Sequence, residues 1–276
     1  MPGVDADKEV RGHVMIIAGS REMPGALLLA ATAALRAGAG KLTIATAASV
    51  APQLGVALPE ARVIGLTETD DGGLLADGAG AASLRKGCQR ASAVLIGPGM
   101  QDEAASAALV EALLPDCVHA PLILDAGAMR FARDGLRFNS PTLLTPHAGE
   151  LAGLTGAKKE DILAQPEASA QSAAQHWQAV VALKGAVTVI AEPLGKSWRH
   201  VGGNTGLAIS GSGDVLAGLI AGLAARGATL EQAAAWGVAL HAMAGEQLSL
   251  QHGPLGYLAR EISGEVPSLL RALAAH

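Results

Sequence analysis

Aromatic side chains are nearly missing from these 276 residues: Phe131, Phe138, Trp177, Trp198, Trp236 and Tyr257 are the whole set, 2% of the chain. An oligonucleotide binder that stacks bases on rings has too few platforms here. Cysteine is scarce too. Cys88 and Cys117 stand alone, which excludes a disulfide-stapled scaffold and leaves two free, buried thiols as the expectation. Basic residues do not dominate, since 20 Lys and Arg face 25 Asp and Glu. The resulting net charge of −5 gives no footprint for nucleic acid or an anionic membrane. The longest charge-free apolar runs, 23–35, 215–225 and 232–245, fall short of the roughly 20 residues that cross a bilayer. The N-terminal stretch 1–9 is polar and acidic, without the basic-then-apolar order of a signal peptide. The expectation is a cytoplasmic, soluble protein with no nucleic-acid or membrane partner.

What fills the chain instead is Ala, Leu, Val and 35 Gly, with 50% hydrophobic and 16% charged residues, enough apolar surface for a sizeable core and too much for disorder. Short apolar runs alternate with longer Ala/Leu segments, as in a mostly parallel sheet with crossover helices, an α/β class. Strands are predicted at 13–18, 41–45, 62–66, 93–96, 122–124, 142–144, 180–183, 187–191 and 198–201. Most are continuously apolar, as strands covered on both faces must be. Helices are predicted at 24–37, 102–114, 149–154, 161–177, 213–225, 230–248 and 267–274. Gly38, Gly156 and Gly227 stand where helix ends need a left-handed residue. The Gly/Asp-rich stretch 67–80 reads as a surface loop. Nothing marks a boundary, so 1–276 reads as one domain.

Information concentrates at the carboxyl ends of the strands, where open α/β sheets bind ligands. Five of them run into small or polar residues: Gly19-Ser20, Gly97-Pro98-Gly99, Asp125-Ala126-Gly127, Thr145-Pro146-His147-Ala148-Gly149-Glu150 and Lys184-Gly185. The strongest local signal is Asn204-Thr205-Gly206-Leu207-Ala208-Ile209-Ser210-Gly211-Ser212-Gly213-Asp214, running straight into an apolar helix. Free amides at such a helix start, with glycines that let them converge, make an anion site of Gly211, Ser212 and Gly213. Asp214 is out of place beside an anion. It reads either as a helix cap or as a general base for a hydroxyl about to meet a phosphate, and the other strand ends favour the base. The helix start should lower its pKa and weaken that base.

Other residues have two readings each. His147 and Glu150, three apart at a strand-to-helix junction, are a solvated His and a helix-start Glu or, for Glu150, a neighbour of phosphate-bound Mg²⁺; structural zinc needs more ligands. His241 reads as a packed or hydrogen-bonded structural histidine. Asp125 lines the cleft or caps a turn. The stretch Lys184-Gly185-Ala186-Val187-Thr188 holds a nucleotide or is a plain hairpin. The stretch 37–43 imitates a phosphate-binding P-loop, but Leu42 takes the Ser/Thr position and the glycines lead into a strand rather than a helix.

Taken in order, these segments resemble the ADP-dependent NAD(P)H-hydrate dehydratase family, of ribokinase-like fold. The likeness rests on Gly19-Ser20 with Met23-Pro24-Gly25-Ala26, and on Ala33-x-Leu35-Arg36-Ala37-Gly38-Ala39-Gly40. It continues through Ile96-Gly97-Pro98-Gly99, Leu124-Asp125-Ala126-Gly127-Ala128 and Leu144-Thr145-Pro146-His147-x-Gly149-Glu150-Leu151. Leu183-Lys184-Gly185-x-x-Thr188 and Asn204-x-Gly206-x-Ala208 leading to Gly211-x-Gly213-Asp214-Val215-Leu216-Ala217-Gly218 complete it. It departs at Ala148, where the family usually has proline, and at Ser212, where threonine is usual.

The resemblance implies a three-layer α/β/α sandwich and a repair reaction. Hydrated NADH or NADPH (the S-form of NADHX or NADPHX) is phosphorylated on its C6 hydroxyl by ADP. Elimination of phosphate then restores NADH or NADPH. By position, Ala26, Gly99, His147 and Asp214 resemble the hydrate-binding residues, with Asp214 catalytic. Lys184, Gly185, Ala186, Val187, Thr188 and Gly213 resemble the site for the AMP moiety. Mg²⁺ is implied by the phosphoryl transfer, with Glu150 near it. The resemblance also implies a homotetramer and a functional partner, NAD(P)H-hydrate epimerase, whose domain is not expected upstream in this chain. A vitamin-precursor kinase, acting on hydroxyethylthiazole or pyridoxal, is the alternative; a non-catalytic nucleotide sensor is a third reading. The shortage of rings predicts a pocket of backbone and aliphatic walls, with little stacking.

Overall fold

Each apolar run becomes a strand whose alternate residues enter opposite cores, in a computed structural model that describes residues 7–133 and 137–274. The strands are β1 (His13–Ile17), β2 (Lys41–Ala47), β3 (Ala61–Leu66), β4 (Ala93–Ile96), β5 (Leu122–Leu124), β6 (Thr142–Leu144), β7 (Val180–Leu183), β8 (Val187–Ala191) and β9 (Ser197–Val201). All nine predicted strands are present. They form one sheet in the order β3-β2-β1-β4-β5-β6-β7-β8-β9. Pairing is parallel from β3 to β7, and antiparallel where β8 and β9 fold back at the edge.

The helices are α1 (Pro24–Arg36), α2 (Ala51–Ala57), α3 (Ala81–Arg90), α4 (Glu103–Leu113), α5 (Ala148–Thr155), α6 (Lys159–Ala164), α7 (Pro166–Trp177), α8 (Ser212–Ala225), α9 (Leu230–His252) and α10 (Ala259–Ala274). Val14, Ile16, Leu95 and Ile123 face a core shared with α1, α8, α9 and α10. Met15, Ile17, Val94, Ile96 and Leu124 face the other, covered by α3, α4, α5 and α7. The period-2 alternation of strand side chains thus fills both layers, which is why the runs are apolar throughout. Among the described residues, no helix is long and apolar enough to cross a membrane.

Three helix expectations change. The single helix predicted over 161–177 is two, because Pro166 cannot continue α6 and instead opens α7. The last helix starts at Ala259 rather than at Pro267, which lies inside it. Ile262, Val266 and Leu269 bury one continuous face, and the Leu258 N–H donates to Glu261 Oε2 at 2.6 Å at its start. Helices α2 and α3 were not anticipated; α3 buries only Leu84, Gly87 and Cys88, a faint helical spacing in a basic stretch. Gly38, Gly156 and Gly227 do adopt positive φ, at 99°, 74° and 94°.

The order of strands reverses at β1, which leads by α1 to β2 on one side and neighbours β4 on the other. This switch point opens a crevice at the strand ends. Its two lips are joined, since Gly19 N–H donates to the Pro98 carbonyl at 2.7 Å and Gly97 N–H to that of Ile17 at 3.1 Å.

Helix α8 reaches this end of the sheet by lying unusually close to α1. A Cβ on Gly218 would stand 2.1 Å from the Ala30 carbonyl oxygen, and one on Gly222 2.5 Å from that of Ala34. Gly264, on α10, meets nothing within 4 Å. The same substitution should therefore have opposite signs at the two sites. Gly218→Ala is expected to lower stability by about 1–3 kcal/mol through overpacking. Gly264→Ala is expected to raise it by about 0.5–1 kcal/mol through helix propensity. Thermal unfolding of both variants checks this, and a Gly218→Ala melting as the parent does would refute the close approach.

Candidate active site

Parallel register brings distant residues together just beyond the strand ends. Leu124 of β5 pairs with Leu144 of β6, so the residues that follow, Asp125 and Thr145, lie side by side. Asp125 is buried and accepts a 2.6 Å bond from Thr145 Oγ1. Strand β7 runs on past β6, where the Lys184 N–H donates to the Pro146 carbonyl at 2.8 Å. The Lys184 side chain then turns to Asp125, with Nζ 3.1 Å from Oδ1, their side chains 20% and 4% exposed. Glu150 Oε2 stands 3.8 Å from the same Nζ. One ammonium therefore serves two carboxylates, and Asp214 also lies near enough to act on its charge.

His147 and Glu150 are fixed by the start of α5. His147 caps the helix: Nδ1 accepts from the N–H groups of Gly149 at 3.0 Å and Glu150 at 3.1 Å. Glu150 Oε2 reciprocates by accepting the His147 N–H at 2.7 Å, closing a capping box. With Nδ1 an acceptor, the ring hydrogen belongs to Nε2, on an exposed edge facing the cleft. Beside them lies a cavity of about 410 Å³, lined by Met100, Gln101, Ala126, Met129 and Arg130 as well as His147 and Glu150, and by no Phe, Trp or Tyr. Where β1 and β4 end, Ala26 in the first turn of α1 and Gly99 touch closely enough that a Cβ on Gly99 would stand 2.6 Å from that of Ala26.

The glycine loop arrives from the opposite layer. Gly211 has φ 89° and precedes α8, so Asp214 is the third residue of the helix, not its cap. Among the described residues the Asp214 carboxylate makes no hydrogen bond, which leaves the capping reading without support. The N–H groups of Gly213 and Asp214 likewise find no acceptor there. Ser212 differs: its N–H donates to the Ile209 carbonyl at 3.2 Å and its hydroxyl bonds His241 Nε2 at 2.9 Å. Of the three amides predicted to face an anion, Gly211 and Gly213 are thus free among the described residues and Ser212 is not, while Asp214 adds a free one. Lys184 Nζ is near, 3.6 Å from where a Gly213 Cβ would stand. Gly185 and Ala186 are exposed at the β7–β8 turn, and Val187 and Thr188 are half-buried at the start of β8.

Charge follows from this packing. Burial, then the Asp125 charge, push the Asp214 carboxyl up to about 7 against the pull of Lys184. The expected lowering by the helix start is overruled. Burial also works against the Lys184 ammonium, but Asp125, Glu150 and Asp214 more than compensate and raise its pKa. Sequence reasoning left Asp125 undecided and passed over Thr145. The signal was available: both directly follow apolar strands, and parallel neighbours end side by side.

The family model described as NAD(P)H-hydrate dehydratase matches residues 14–268. A curated relative from Xanthomonas campestris pv. campestris, named ADP-dependent (S)-NAD(P)H-hydrate dehydratase, is 48% identical over 273 residues, covering 99% of this chain and 93% of its own length. The bifunctional NAD(P)H-hydrate repair enzyme of Moorella thermoacetica is 39% identical over 270 residues, covering 96% of this chain and 50% of its own length. Among solved structures, an ADP/ATP-dependent NAD(P)H-hydrate dehydratase from Bacillus subtilis, co-crystallised with ATP and Mg²⁺, superposes with a TM-score of 0.83 at 32% identity, over 99% of this chain and 93% of that one.

The raised Asp214 pKa has a measurable cost. The folded value, about 7, exceeds the ordinary 3.8, so the folded chain holds this proton more tightly than the unfolded one. Stability from this group is greatest below pH 4 and is lost as pH rises toward 7. Asp214→Asn should therefore raise the melting temperature, and more at pH 8 than at pH 5. In Asp125→Asn, which removes the second-largest cause, carbon-13 NMR should show Asp214 titrating at lower pH. An unchanged titration would rule out Asp125 as a cause.

Proposed function

The chain belongs to the NAD(P)H-hydrate dehydratase family, and from that premise we propose that it uses ADP to dehydrate the S-form of hydrated NADH or NADPH, a hydro-lyase reaction releasing AMP and phosphate. The observation that carries the reading is Asp214: an unpaired carboxylate with a pKa of about 7, next to two free helix-start amides and a lysine. A base is most useful when its pKa lies near the working pH.

In this reading Asp214 takes the proton of the C6 hydroxyl as that oxygen bonds to the β-phosphorus of ADP and the bond to AMP breaks. The amides of Gly213 and Asp214, with Lys184, face the charge on the transferring phosphoryl group. Phosphate then leaves C6 with the C–O electrons while C5 loses a proton, restoring the ring double bond. Ala26 and Gly99, which meet where the two lips join, and His147 at the start of α5 hold the hydrate. Lys184, Gly185, Ala186, Val187, Thr188 and Gly213 hold the AMP moiety, with Gly211 and Ser212 shaping the loop.

Among the described residues no three His, Cys, Asp or Glu gather as a metal cage. That suits Mg²⁺, which keeps most of its shell as phosphate oxygens and water. In this reading Glu150 is the carboxylate that would meet it, its Oε2 being also the partner of the His147 N–H and Lys184. When bound, the cation neutralises phosphate charge. The reading includes a cytoplasmic homotetramer working beside an NAD(P)H-hydrate epimerase; the bifunctional naming of the Moorella relative supports a paired repair activity. A vitamin-precursor kinase would keep its phosphorylated product, whereas the 48% identical relative is named as a dehydratase.

Incubation with hydrated NADH and ADP should restore reduced-nicotinamide absorbance. Asp214→Asn should cut turnover by about 10²–10⁴, the worth of a positioned base, with ADP affinity by calorimetry within a few-fold of the parent. Absorbance that never returns, while hydroxyethylthiazole or pyridoxal is phosphorylated, would replace this reading with the kinase.

A further inference from the structure

The glycine loop is held from behind by groups that lie outside the cleft. Gly203 N–H donates to Glu246 Oε1 of α9 at 2.7 Å. Asn204 Oδ1 accepts from Gly206 N–H at 2.8 Å and from the Tyr257 hydroxyl at 2.7 Å. At the end nearest the chemistry, His241 of α9 reaches Ser212, with Nε2 2.9 Å from the hydroxyl oxygen and 3.1 Å from the carbonyl oxygen. Ser212 immediately precedes Gly213 and Asp214, whose amides are free donors.

This contact is built, not incidental. Gly237, His241 and Gly245 are four residues apart and share one face of α9. A Cβ on Gly237 would stand 2.6 Å from the Ile220 side chain, and one on Gly245 2.6 Å from that of Leu207. The two glycines press α9 against α8 and the loop, with the histidine between them. A carbonyl oxygen only accepts, so the Ser212 carbonyl requires the hydrogen on Nε2. Burial, opposed by the Ser212 hydrogen bond and helped by the Lys184 charge, pushes His241 down to about 4. The ring is therefore a neutral, fixed donor near pH 7, and it adds no charge beside Lys184.

We propose that His241 is a positioning residue, whose Nε2–H clamps Ser212 and so aims the amides of Gly213 and Asp214 at the phosphoryl group of ADP; the inference rests on the dehydratase reading above. It assigns a role in turnover to a histidine that touches no substrate. Hydrogen bonds of this kind contribute about tenfold at most in equilibrium terms, and misplaced catalytic groups can cost more in rate.

The test compares His241→Asn, too short to reach Ser212, with His241→Gln, whose amide nitrogen can take the place of Nε2. His241→Asn should lower kcat about tenfold or more, with KM for hydrated NADH within twofold. His241→Gln should recover most of the loss. Amide hydrogen exchange of Ser212 and Val215, the bonded amides of this turn, should quicken in His241→Asn and stay unchanged at Gly149 and Glu150. In combination with Ser212→Ala the losses should not multiply. Equal losses in the Asn and Gln variants, multiplying losses, or unchanged loop exchange would overturn the clamp. Should His241→Asn fail to fold, nitrogen-15 NMR of the parent keeps the test: a neutral ring with its hydrogen on Nε2 at pH 7 supports the clamp, and a hydrogen on Nδ1, which leaves nothing to donate to the Ser212 carbonyl, overturns it. A parent chain that leaves hydrated NADH unchanged with ADP overturns the dehydratase reading instead, because loop exchange is read without turnover.

Discussion

The bond between Lys184 and Asp125 is the constraint on which the site depends. It joins the ends of β5 and β7 across β6, with Thr145 of the intervening connection donating to the same carboxylate oxygen. Buried ion pairs add little net stability, but removing one partner strands the other at a cost of about 3–5 kcal/mol. The pair is therefore best understood as a positional device. It sets Lys184 at the mouth of the glycine loop and commits its charge largely to Asp125 and Glu150. Asp214 is left with a buried carboxyl, an anion beside it and only part of one cation.

Magnitudes decide the state of Asp214. A helix start favours a nearby carboxylate by about 0.3–1 kcal/mol, and by about 2 at most. A rise from 3.8 to about 7 is roughly three units, each worth about 1.4 kcal/mol. Burial and the Asp125 charge thus exceed the dipole in the opposite direction, by about twofold even at the dipole's upper figure. The tension between an anion-binding helix start and a carboxylate base is resolved by desolvation. In the proposed reaction the same helix start offers two amides to a phosphoryl group and still carries a base with a pKa near neutrality.

The glycine and alanine content serves close approach as well as ligand access. Helix α8 sits against α1 through Gly218 and Gly222 and against α9 through Gly237, so its middle turns are held on two sides. The scarce rings do structural work away from the chemistry: Trp177 is buried on α7, and Tyr257 pins the loop through Asn204. Cys88 and Cys117 are free and buried, as expected from their small number. Strands were legible because most are short apolar runs with Gly, Pro or Asp at one end or the other; β9, with Ser197, Arg199 and His200, is the exception. Helices were less so, since Pro166 starts one while Pro267 sits inside another, and only the neighbouring packing distinguishes them. His241 was read as structural, and it is; what the sequence could not show is that its partner is Ser212.

Local pattern alone determined the α/β class, the nine strands, the glycine loop that opens α8 and the presence of chemistry-bearing residues at strand ends. Those features depend on side-chain period, on backbone freedom and on amides left free at a helix start, all set within a few residues. The tertiary structure decided which charges meet. Lys184 and Asp125 are 59 residues apart, and Ser212 and His241 29. Coulomb energy and desolvation depend on distance in space and on what excludes water. For that reason the role of Asp125, the pKa of Asp214 and the clamp on the loop came only from the folded chain.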